Sequence, residues 1–67
     1  MKPRPPLSPR QREIIHMVSA GFCDKEIAAR LEISKRTVDG HMEEIFIRLK
    51  ARTRAHAAVK YLKICHP

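Results

Sequence analysis

Residues 24–49 read DKEIAARLEISKRTVDGHMEEIFIRL, and this stretch decides the fold. Two apolar periodicities lie in it, separated by a short break. In the first, Ile27, Ala28 and Leu31 recur at helical spacing. This helix starts at Cys23 or Asp24: Asp24 is the better cap, while Glu26 favours the earlier start with a thiol that caps poorly. It stops near Glu32, and Ile33 plugs the connection. In the second, Val38, Met42, Ile45, Phe46 and Leu49 fall at offsets of 4, 7, 8 and 11, which fit a helix and exclude a strand. Ser34 is a strong N-cap for it. The opposite face of this longer helix carries Lys35, Arg36, Asp39, Gly40 and Glu43.

Working outward, Ser8-Pro9-Arg10-Gln11 reads as a helix start. Ser8 caps, Pro9 suits the first helical position, and Gln11 completes a capping box. Ile14, Ile15 and Val18 form the inner stripe, and Gly21 ends this helix as a left-handed cap. Downstream, Thr53 caps a fourth helix. Ala55, Ala58, Val59 and Leu62 are expected to face inward, with Ala57, Tyr61 and Ile64 as a second, partly apolar stripe. His66-Pro67 closes the chain. Pro3, Pro5 and Pro6 make residues 1–7 an extended basic arm, because proline fixes φ and lacks the amide donor. The expected organisation is an all-α, compact four-helix domain over residues 8–65, with the helix-turn-helix proper at 24–49.

At 67 residues the chain holds one domain at most, and with aromatics at 4% its core must be aliphatic. The net charge of +7 is unevenly placed. Residues 1–12 carry +4, residues 13–49 carry −2 and residues 50–67 carry +5. Such a balance suits a polyanionic partner, or serves solubility alone. No apolar run is long enough to span a bilayer, and no signal peptide is visible. Cys23 and Cys65 are too few for a disulfide framework, so a reducing cytoplasm is the expected compartment. The histidines and cysteines lack paired-ligand spacing, so neither metal nor other cofactor is expected. No nucleophile–base pair or phosphate loop is present, and the chain is not expected to be an enzyme.

A short helix, three intervening residues and a longer amphipathic helix make the helix-turn-helix arrangement. Its second helix fits a major groove of similar width and leads with an N-terminus whose free amides favour phosphates. From Leu7 to Val59 the sequence also resembles the LuxR-type DNA-binding domain of bacterial regulators. It keeps Leu7, Ser8, Pro9 and Arg10 at the opening, then Gly21, Lys25, Glu26, Ile27 and Ala28. Leu31, Ile33, Ser34, Thr37, Val38, His41, Ile45 and Leu49 follow at the family spacing. The resemblance implies a transcription regulator, or its DNA-binding module, acting on double-stranded DNA in the bacterial cytoplasm and nucleoid. It implies base reading at Asp39, Gly40 and Glu43, a backbone contact at Thr37, and a homodimer through the fourth helix at Arg54, Ala57, Ala58 and Tyr61. The family pattern has Lys where this chain has Asp39, and a basic residue is common where it has Glu43.

Among these residues, Lys25, Lys35, Arg36 and Thr37 are candidates for phosphate contact. Lys35 and Arg36 also have a local alternative, pairing with Asp39 along the helix. Asp39 and Glu43 can accept from cytosine amino groups or form a charged face that no longer reads DNA. Gly40 is unusual inside a helix and either permits close approach or is a tolerated exposed glycine. His41, beside the inward stripe, reads as a packed, hydrogen-bonded structural histidine. An alternative function follows from the two acids: a protein-interaction module on the same fold that pairs with a regulator and blocks its DNA binding. A basic segment acting on membranes is disfavoured by the capped, turn-punctuated pattern.

Overall fold

Ser8 accepts a hydrogen bond from the Gln11 amide (3.2 Å) while Gln11 Oε1 accepts from the Ser8 amide (3.1 Å), and this reciprocal box starts the first helix. The computed structural model describes residues 7–65; the basic arm before Leu7 and the His66-Pro67 end lie outside them. Four helices are present among the described residues: α1 Pro9–Ser19, α2 Asp24–Leu31, α3 Lys35–Leu49 and α4 Arg54–Cys65. Leu7, grouped with the arm on sequence, is buried and belongs to the core.

Each of the first three helices ends in the same way. An amide just past the end reaches back five residues: Phe22 to Met17 (3.0 Å), Ile33 to Ala28 (3.0 Å) and Ala51 to Phe46 (2.9 Å). These are Schellman closures, which need one residue at positive φ. Gly21 supplies it after α1 at φ 98°, as the sequence predicts. After α2 and α3 the same task falls to Glu32 (φ 57°) and Lys50 (φ 54°), where a side chain makes the conformation costly. The doubtful start of α2 resolves to Cys23 as N-cap, with its amide donating to Glu26 Oε1 at 3.0 Å. Thr53 caps α4 by accepting from the His56 amide at 3.0 Å.

The core is aliphatic, with Ile14, Ile15, Ile27, Val38 and Ile45 fully sealed from solvent. Leu7, Val18, Ala28, Met42, Leu49, Ala57 and Tyr61 join them, and Phe22, Leu31, Ile33 and Phe46 pack at the edge. Gln11 is buried, but its side chain is satisfied by the capping box, so its burial carries little penalty.

The inward face of α4 differs from the sequence expectation. Ala57 and Tyr61 are buried and Ala58 is half-buried, whereas Ala55, Val59 (49% exposed) and Leu62 (41%) face out. Both stripes are apolar, so periodicity alone does not choose between them. Polar tips on the buried stripe do. Tyr61 carries its hydroxyl to His16 Nδ1 (3.2 Å), and Arg54 reaches back to Asp24 and the Phe22 carbonyl. A stripe with partners on α1 and α2 packs inward over one with methyl groups alone.

Candidate nucleic-acid interface

The outer side of α3 is held in place from behind. Ser34 closes its N-terminus by accepting from the Thr37 amide at 3.0 Å, and the Ser34 and Thr37 hydroxyls lie 2.9 Å apart. Val38, Met42, Ile45 and Leu49 anchor the opposite side in the core. What remains outward is Lys35, Arg36, Thr37, Asp39, Gly40 and Glu43, all exposed.

Three shallow grooves border this face. Lys25, from the first turn of α2, joins Lys35, from the first turn of α3, in a groove that also includes Cys23, Asp24 and Arg54. Thr37 and Gly40 share a second with Gln11, His41 and Glu44. Asp39 and Glu43 border a third, floored by Met42 and Phe46 and closed by Asp24 and Arg54. Six of the seven sequence-predicted DNA contacts thus line these grooves, with Lys25 brought in from α2, and Arg36 is exposed on α3 without bordering any of them. Sequence reading missed Gln11 and Glu44 as neighbours of that face. Gln11 was legible only as a cap, and its place beside α3 depends on how the two helices cross.

Asp39 and Glu43 form no hydrogen bond or ion pair with any other described residue. The along-helix pairing of Lys35 or Arg36 with Asp39 is therefore not made. The ion pairs among the described residues are Arg10–Glu13, Arg48–Glu44 and Arg54–Asp24. His41 departs from expectation too: it is half-buried and hydrogen-bonds to no described residue. The Glu26 carboxyl is held below its usual value by the hydrogen bond that it accepts from the Cys23 amide.

Of the four residues named for a dimer face, Ala57 and Tyr61 are buried, and Arg54 and Ala58 are half-buried. Ala57 (0% exposed) and Tyr61 are buried in the domain's own core, and Ala58 packs at its edge. Arg54 pairs with Asp24 and donates to the Phe22 carbonyl at 3.0 Å, tying the start of α4 to the start of α2. Their small size and polar tips suit intrachain packing, and the outward side of α4 is carried by Ala55, Val59 and Leu62.

No helix among the described residues is long and apolar enough to cross a membrane. No group of three or more His, Cys, Asp or Glu among them is arranged to hold a metal ion.

Residues 5–61 match the protein family described as bacterial regulatory proteins, luxR family. Among curated relatives, the chain is 47% identical over 53 residues to YhjB of Escherichia coli, whose name places it with HTH-type transcriptional regulators; the match covers 79% of this chain and 26% of YhjB. It is 38% identical over 53 residues to the nitrate/nitrite response regulator protein NarL of Escherichia coli, covering 79% of this chain and 24% of NarL. It is 31% identical over 61 residues to the tetrathionate response regulatory protein TtrR of Salmonella typhimurium, covering 91% of this chain and 30% of TtrR. The chain thus spans about a quarter of the length of the first two of these relatives.

Proposed function

The chain belongs to the luxR family of bacterial regulatory proteins as a DNA-binding domain of the helix-turn-helix type, and from that premise we propose that it regulates transcription by placing α3 in the major groove of an operator. One observation carries this reading: α3 exposes a continuous polar face from Lys35 to Glu43 behind a capped N-terminus, while its other side is fixed in the core. Lys25, Lys35, Arg36 and Thr37 take the phosphate contacts, and the basic segments at both ends of the sequence add to the attraction. Asp39, Gly40 and Glu43 face the bases. Pairing of two copies would use the outward side of α4, where Val59 and Leu62 are exposed. The setting is the bacterial cytoplasm, at the nucleoid. The domain begins with the buried Leu7, and its reading unit is 24–49.

The test is a fluorescence-anisotropy titration with random duplex DNA at two salt concentrations. With about six phosphate contacts, the logarithm of affinity falls with the logarithm of salt at a slope of roughly −5. A flat response sinks the proposal.

A second reading is favoured by the unpaired Asp39 and Glu43 and by Ile47, which is 73% exposed on the same side of α3. In it the domain pairs with a full regulator and blocks operator binding. Reversing Asp39 and Glu43 to Lys would then create duplex binding where the native chain has none.

A further inference from the structure

Asp39 and Glu43 are exposed on α3 with Gly40 exposed between them. They lie one turn apart, about 6 Å along the axis. Neither carboxylate has a partner among the described residues, so both keep their full capacity to accept. An ionised carboxylate accepts only. In the major groove the donors are the cytosine N4 amino and the adenine N6 amino, and adenine sets an N7 acceptor beside its donor. That N7 repels a carboxylate, whereas cytosine offers its amino group without an acceptor on the same base. Carboxylates on this face therefore favour cytosine.

Gly40 supports the same reading by an independent route. A glycine weakens a helix, and here a Cβ would meet nothing within 4 Å. Packing inside the domain does not require the residue. Its effect is on the outside: the surface of α3 flanking the two carboxylates is bare backbone at Gly40, so a base edge comes closer there than any side chain would allow. Asp39 is the shorter of the two acids and the one that needs that approach.

Resting on the DNA-binding reading above, we propose that this face selects cytosine: Asp39 and Glu43 each accept from a cytosine N4 amino group, and the bare Gly40 lets α3 sit deep enough for Asp39 to reach. The two cytosines lie within two base-pair steps of each other, as the spacing of the acids along the helix dictates. The carboxylates repel phosphates on every sequence and are compensated only where amino donors meet them. They convert general affinity into discrimination.

The experiment is selection of bound sites from a random duplex pool by the full 67-residue chain, by the pair Asp39→Asn with Glu43→Gln, and by Gly40→Ala. Thermal unfolding of each variant runs alongside as a folding control. The wild type is expected to enrich cytosine at two nearby positions, each by about tenfold over other bases. The amides bond adenine bidentately, so the double variant moves the preference to adenine at those positions. Gly40→Ala keeps the fold and weakens the selected site severalfold. Salt-sensitive duplex binding without cytosine enrichment, or an enrichment that the amide variant leaves unchanged, overturns this inference and leaves DNA binding standing. A chain that binds no duplex at low salt overturns both.

Discussion

Along α3, the side that carries Val38, Met42, Ile45 and Leu49 is sealed, while the side that carries Arg36, Gly40, Glu43 and Ile47 is open. On the sealed side every residue is apolar and touches the rest of the core. On the open side Arg36 and Glu43 have no partner among the described residues, and Ile47 is left 73% exposed. The difference separates what holds the domain together from what it presents. Substitution on the first side is read out as stability, and on the second as binding.

The largest expected effect tests the sealed side. Ile45 is fully buried, and Ile45→Ala removes packing that the surrounding helices cannot collapse to replace. A loss of about 3 kcal/mol is expected by urea denaturation, which for a domain this small is a large part of its total stability. A loss below about 1 kcal/mol would mean that the core is less closely packed than its burial indicates.

On the open side the sign reverses. Gly40→Ala adds a methyl into empty space within a helix and should stabilise the domain by about 1 kcal/mol, seen as a higher Tm. A lower Tm would show that the helix surface at Gly40 is already crowded. A gain smaller still is expected at the ends of α2 and α3, where Glu32 and Lys50 hold positive φ. Glu32→Gly or Lys50→Gly relieves that strain and should add on the order of 0.5 kcal/mol each. Unchanged or reduced unfolding midpoints in both variants would show that the left-handed turn is not strained there.

The smallest effect is a pH dependence. Glu26 accepts from the Cys23 amide, and its carboxyl is held below its ordinary value. A depressed carboxyl contributes stability that is present above the unfolded glutamate value and is lost as pH falls through the lower folded value. Acid unfolding curves of wild type and Glu26→Gln should therefore converge at the acid end and separate toward neutral pH. A gap that persists unchanged into acid would show that the capping bond does not depend on the charge.

Much of this contrast was legible in the sequence, because caps and periodicity act locally. Ser8 with Gln11, Ser34 and Thr53 start their helices where their side chains predict, and Gly21 ends α1 where its φ is required. The outward residues of α3 follow directly from its inward stripe. What was not legible depends on contacts distant in sequence. Nothing at Glu32 or Lys50 announces a left-handed closure, since both side chains oppose it. The choice between two apolar stripes on α4 depended on His16 and Asp24, which lie 45 and 30 residues from their partners Tyr61 and Arg54. Of the four residues that the resemblance assigns to pairing between copies, Ala57 and Tyr61 lie in the domain's core, while Arg54 and Ala58 stay part-exposed.

The Tyr61–His16 bond bears also on how the domain comes into being. α4 packs more extensively on α1 than any other two helices do on each other, so within this domain α1 is covered chiefly by α4. On the ribosome, α1 through α3 emerge with much of the apolar side of α1 still bare. A nascent chain that stops short of Tyr61 holds the complete helix-turn-helix sequence without the helix that covers α1. Completion of the domain's packing therefore waits on α4 and is not achieved by the helix-turn-helix sequence alone.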